Sequence, residues 1–137
     1  MKKVIDKFDK ETRFLSNFWP CFELGRSVEH YYQAAKATNL KDRNWVLDSH
    51  NAAAAKYRGR KIEVIQGWDE IKLYRMEELL RRKFYDPKLR DLLLATGDAE
   101  LVEGNWWGDT YWGVCKGVGE NHLGKLLMKI REELRGS

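Results

Sequence analysis

Proline is scarce in this 137-residue chain, with only Pro20 and Pro87, so little breaks a helix. Cysteine is equally scarce. Cys21 and Cys115 are too few for a structural zinc site, and His30, His50 and His122 show no ligand spacing. No metal or cofactor is expected. There is no long apolar run, so no membrane span or membrane partner is expected, and the start Met1-Lys2-Lys3-Val4-Ile5-Asp6 does not read as a secretion signal. The expected location is the cytoplasm, with both thiols reduced. Charge of one sign is not in large excess either. A net +4 falls short of a nucleic-acid footprint but fits an anionic ligand. There is no dinucleotide fingerprint, P-loop, nucleophile elbow or metalloprotease motif; Gly117-Val118-Gly119 lacks the third glycine. Internal repeats and low-complexity linkers are absent, and the length suits one domain over residues 1–137.

Aromatic residues, in contrast, are plentiful: six Trp, six Tyr and five Phe. Some fill a core, and the remainder point to a binding cleft. The pattern predicts a mainly α, multihelical domain with a few short strands. Short strands are expected at Val4-Ile5, Phe14-Leu15, Cys21–Leu24 and Leu101-Val102. Ser27 caps a helix from Val28 to Thr38. Asp42 is the expected cap of a second helix holding Trp45, Val46 and Leu47. Asn51 caps a third, Ala52 to Tyr57, stopped by Gly59. Asp69 is expected to cap the longest helix, and Asp86-Pro87 opens another that ends at Gly97. Asn121 caps the last, where Leu123, Leu126, Leu127, Ile130 and Leu134 form one stripe.

Three segments carry polar or aromatic residues that a core does not require. Arg13-Phe14-Leu15-Ser16-Asn17-Phe18-Trp19-Pro20 reads as a shaped loop. In the helix after Ser27, Glu29, Gln33 and Lys36 share one face, while Val28, Tyr31, Tyr32 and Ala35 supply the packing side. On that segment alone an ordinary solvated face is the better explanation of the charges. From Glu103 to His122 the chain holds three Trp, one Tyr, five Gly and a single Asp109. Glycines such as Gly108 permit close backbone approach, and indole faces stack on a base or sugar. That loop runs into the helix at Asn121, whose N-terminus attracts phosphate.

The order Phe14-Leu15-Ser16-Asn17-Phe18, Ser27-Val28-Glu29-His30-Tyr31-Tyr32-Gln33-Ala34-Ala35-Lys36, Trp107-Gly108-Asp109, Trp112-Gly113-Val114-Cys115 and Gly119–Met128 closely resembles the YbiA-like or NADAR family, from about Arg13 to Leu134. The segment between Phe18 and Ser27 is shorter than the family's pattern. The resemblance implies hydrolysis of an N-glycosidic bond to a phosphorylated ribose. The small-molecule substrate is either a riboflavin-pathway phosphoribosylamino-pyrimidine or ADP-ribosylated guanine, including guanine in nucleic acid. It places catalytic roles on Glu29, Lys36 and Asp109. Substrate binding then falls to Arg13, Asn17, Phe18, Gln33, Trp68, Trp107, Gly108, Trp112, Asn121, His122 and Lys125. Arg13, Arg58 and Lys125 are the candidate phosphate ligands, although Arg58 reads more simply as surface charge. The competing readings are a non-catalytic ADP-ribose or nucleotide-binding module, a general nucleic-acid binder and an interaction protein with an aromatic patch.

Overall fold

A computed structural model describes residues 2–136. Six α-helices dominate: α1 (Val28–Ala34), α2 (Leu40–Leu47), α3 (Ala52–Gly59), α4 (Trp68–Lys83), α5 (Pro87–Ala95) and α6 (His122–Arg135). The strands are two residues each: β1 (Val4–Ile5), β2 (Glu100–Leu101), β3 (Gly104–Asn105) and β4 (Val114–Cys115). The mainly α expectation holds. The chain divides into two compact units, a terminal one (Met1–Ser16 with Phe84–Ser137) and a central one (Asn17–Lys83).

In the central unit α1 packs on α2, α3 and α4. Ala34, Val46, Leu47 and Ala55 form a buried cluster, with Tyr31 and Ile62 against it. The start of α1 is fixed by its cap. Ser27 Oγ accepts from His30 N, and His30 Nδ1 accepts from Ser27 N at 3.1 Å, a reciprocal capping box. The far side of the same ring, Nε2, donates to Ser49 O at 3.0 Å, so a fully buried imidazole ties α1 to the end of α2.

In the terminal unit β1 pairs in parallel with β2, and β3 with β4. Against α5 and β2, α6 buries Leu123, Leu126, Leu127 and Ile130, while Leu134 is half-buried. Each such leucine contributes roughly 1.5–3 kcal/mol. Asp86 caps α5 as expected, accepting from Leu89 N at 3.0 Å, with Pro87 in the first turn.

Several local expectations are corrected. Phe14-Leu15 lies in a 3-10 turn (Lys10–Leu15), not a strand, with both side chains buried. The Cys21–Leu24 strand is absent as well. The chain turns through a 3-10 segment, Glu23–Gly25, because Cys21 N and Phe22 N both bond Arg26 O. α1 stops at Ala34 rather than Thr38, because Ala37 bridges Val64 and Lys36 O accepts from Ile65 N at 2.8 Å. Lys36 therefore sits beyond the helix. Asn39, not Asp42, caps α2 by accepting from Asp42 N at 2.8 Å. Asp69 is inside the first turn of α4, paired with Lys72 at 3.2 Å, instead of capping it. Gly59 lies within α3 rather than past its end.

Candidate active site

In the central unit, the capping box that fixes α1 holds Glu29 between its two partners. Glu29 N donates to Asn17 O at 3.1 Å, which ties the N-terminal loop to the helix. The Glu29 side chain is buried, and Gln33, one turn on, is buried beside it. Gln33 Nε2 donates to Glu29 Oε1 at 3.0 Å, which fixes the carboxylate's orientation. Gln33 Oε1 is buried and has no partner. A Cβ on Gly59 would sit 2.1 Å from Gln33 Oε1, so only glycine leaves room for that carboxamide. The packing role of Gly59 was not legible as such; its identity reads as a helix stop.

Lys36 is half-buried and close enough to Glu29 to feel its charge. Burial pushes its amine below the ordinary lysine value, the Glu29 carboxylate pulls the other way, and Arg60 pushes it down further. A neutral amine is thus more populated than at a surface lysine. Arg60 was missed in the sequence because nothing in its spacing links it to Lys36. Trp68 is buried, and its ring lies 5.2 Å from that of Tyr32. This indole therefore packs against α1. Asn17 Nδ2 points at Met76 Sδ, 3.5 Å away, while Asn17 Oδ1 is buried without a partner. Phe18 is substantially exposed, with Lys56 Nζ 5.9 Å from its ring centre. Arg58 donates to Trp45 O at 2.7 Å and stacks 4.9 Å over the Trp45 ring. Both contacts agree with its reading as a surface residue.

In the terminal unit, Asp109 organises the aromatic loop. Its Oδ1 accepts from Tyr111 N at 3.1 Å and Trp112 N at 2.9 Å. Asn105 clamps the same residue from behind, accepting from Asp109 N at 3.0 Å and donating to Asp109 O at 2.9 Å. Asn105 also bonds Glu103 Oε2 at 3.1 Å. Asn105 and Glu103 were not singled out in the sequence, because bonds from one side chain to backbone four residues on leave no spacing signal. Gly108 takes φ +88°, a conformation that favours glycine, and so turns the chain between Trp107 and Asp109. Trp107 is half-exposed and meets the still more exposed Trp106 edge-on, ring centres 5.6 Å apart. Trp112 packs edge-on to Tyr111 at 4.8 Å, and Tyr111 lies 4.5 Å from the His122 ring.

The start of α6 differs from the expected phosphate cradle. Three of its first amides are already used: Asn121 N, His122 N and Leu123 N donate to Gly113 O, Tyr111 O and Trp112 O, and Lys125 N makes the first helical bond, to Asn121 O. Asn121 occupies the cap position at φ 54°, but its side chain does not cap the helix. Instead Oδ1 accepts from Glu103 N and Nδ2 donates to Leu101 O, each at 3.0 Å. Lys125 is exposed, as is Arg13 at the end of the first 3-10 turn. Thus the structure gathers Glu29, Gln33, Lys36, Trp68 and Asn17 in one unit. It gathers Trp107, Gly108, Asp109, Trp112, Asn121 and His122 in the other.

Comparison with known proteins gives a consistent picture. The model of a family described as NADAR domain matches residues 6–135. The chain is 41% identical over 128 residues to a protein of Escherichia coli (strain K12) named N-glycosidase YbiA, covering 87% of this chain and 79% of that one. It is 38% identical over 136 residues to a riboflavin biosynthesis protein of Vibrio vulnificus (strain YJ016), covering 93% of this chain but 37% of the relative. The NMR structure of E. coli YbiA superposes with a TM-score of 0.83 at 36% identity, covering 98% of this chain and 87% of that one.

Proposed function

The chain belongs to the NADAR domain family, and from that premise we propose that it is an N-glycosidase, a hydrolase acting on a phosphorylated ribosylamine through Lys36 and Glu29. The observation that carries this reading is the half-buried Lys36 amine, shifted toward its neutral form, within the field of a buried carboxylate held by Gln33. Relatives named N-glycosidase and riboflavin biosynthesis protein support the reaction class and a small-molecule substrate. The family match runs across both units, which supports reading residues 1–137 as one functional domain.

The chemistry follows from those groups. A ribose carrying nitrogen at its anomeric carbon opens to an iminium at C1. The neutral Lys36 amine adds to C1, a proton passes to the departing nitrogen, and the C–N bond breaks. The amine leaves, and Lys36 remains bound to C1 as an imine. Water then adds to C1 and releases the sugar, restoring the lysine. In this reading Glu29 carries the protons in both halves of the cycle. Trp68 supplies an apolar wall that limits water. In the terminal unit, Asp109 holds the loop that carries Trp107 and Trp112 in shape. The two substrate classes remain the riboflavin-pathway phosphoribosylamino-pyrimidine and ADP-ribosylated guanine, free or in nucleic acid.

The test is to offer both substrates in the presence of EDTA, follow base release, and add borohydride during turnover. The expected result is base release with a reduced sugar adduct on Lys36. Base release without any lysine adduct removes the covalent step and leaves direct water attack. Binding without release establishes the nucleotide-binding module in its place.

A further inference from the structure

None of the residues assigned above lines a cavity of about 750 Å³ in the terminal unit. Three segments build it. Lys2 and Lys3 come from the start of the chain, Thr96 and Asp98 from the loop after α5, and Arg131, Glu132 and Arg135 from one face of α6. Glu100 N bonds Lys3 O at 2.8 Å, where β1 meets β2, and this holds the first segment beside the second.

The charge balance of the cavity is incomplete. Four cationic side chains face two carboxylates. Both carboxylates are used by one guanidinium: Arg135 pairs with Asp98 and with Glu132, each at 3.0 Å. Arg131, one turn earlier, is 5% exposed and has no ion pair among the described residues. Its Nη1 donates to Thr96 Oγ1 at 2.9 Å, and its Nε is buried without an acceptor. Thr96 offers no charge, and its own hydroxyl proton goes to Leu93 O at 2.6 Å. Burial, and then the like charge of Arg135, push the Arg131 pKa down, so the surrounding side chains compensate its cationic form poorly. A guanidinium this buried is normally matched by an anion.

We propose that this cavity is a binding site for a small phosphate-type oxyanion, with Arg131 as its central ligand and Lys2 and Lys3 closing the open side. The guanidinium offers two donors in one plane, which suits a phosphate or pyrophosphate group. Lys2 and Lys3 are exposed and carry point charges that can follow an anion of varying size. The site is independent of the glycosidase reading and shares no residue with it.

The test is a titration of the labelled protein with sodium pyrophosphate at constant ionic strength, read by amide NMR. Saturable shifts are expected at Thr96–Ala99 and Arg131–Arg135. Arg131→Gln should abolish them. The double variant Lys2→Glu with Lys3→Glu, confined to exposed positions, should weaken binding at least tenfold and serves if Arg131→Gln fails to fold. Shifts that sodium chloride reproduces, shifts absent from these segments, or an affinity unchanged in the double lysine variant would overturn the proposal.

Discussion

Lys83 allows a quantitative test of how this fold treats a buried charge. It lies in the last turn of α4 and is 1% exposed. Burial lowers its pKa from 10.5 to about 8, against a weaker opposing pull from Cys21. In the unfolded chain the amine recovers its ordinary value, so between these two values the unfolded state binds more protons than the folded one. Stability therefore rises with pH across about 8 to 10.5. For pKa values of about 8 and 10.5, the Lys83 contribution between pH 7 and pH 10 amounts to about 2.5 kcal/mol. Lys83→Met removes this titration and keeps most of the volume. Whatever packing the amine's tip supplies is missing from the variant equally at both pH values, and the other titrating groups cancel in the difference. Urea unfolding of both proteins at pH 7 and pH 10 should show the variant gaining on the parent at the lower pH. The gap should narrow by about 2.5 kcal/mol at the higher. Parallel pH dependences would refute the assignment of a buried ammonium with a lowered pKa.

The remaining predictions concern the site. Glu29→Gln should lower kcat by roughly 10²–10⁴-fold with little change in thermal stability, measured by base release. Because burial and Arg60 depress Lys36 while Glu29 raises it, the fraction trapped by borohydride should rise with pH below the ordinary lysine range. Arg60→Gln should move that limb upward, and Glu29→Gln should move it downward. Gly59→Ala forces the Gln33 carboxamide aside, so it should cost about 1–3 kcal/mol in chemical denaturation. It should also slow turnover more than it weakens substrate binding. Asp109→Ala removes the acceptor for two loop amides and should cost about 1–3 kcal/mol, whereas Asp109→Asn retains a carbonyl there and should melt near the parent. A large activity loss in Asp109→Asn would give that carboxylate a charge role beyond the loop.

What was legible in the sequence was whatever local chemistry decides. Ser27, Asn51 and Asp86 cap helices where their side chains permit it, and the α6 stripe points inward because its period matches the helix. Long-range pairing hid the rest. Nothing near Thr38 foretells that Ala37 will bridge Val64 and end α1 early, and this moves Lys36 from a helix face into a turn. Asn121 looks like a cap because of its position, yet distant partners at Leu101 and Glu103 claim its side chain. The acid, amide and amine of the candidate site stood out through the family resemblance, since the helix spacing that grouped them does not extend to Lys36. Arg60 and Gly59, which tune the amine and make room for the amide, did not.

The three amides that open α6 are stitched to the carbonyls of residues 111–113, and this separates two tasks along a single loop. The stitched end is a frame whose loss would loosen the helix. The other end carries the exposed Trp106 and the half-exposed Trp107, which meet edge-on. A change at those two exposed indoles leaves untouched the bonds that hold the helix behind them in register.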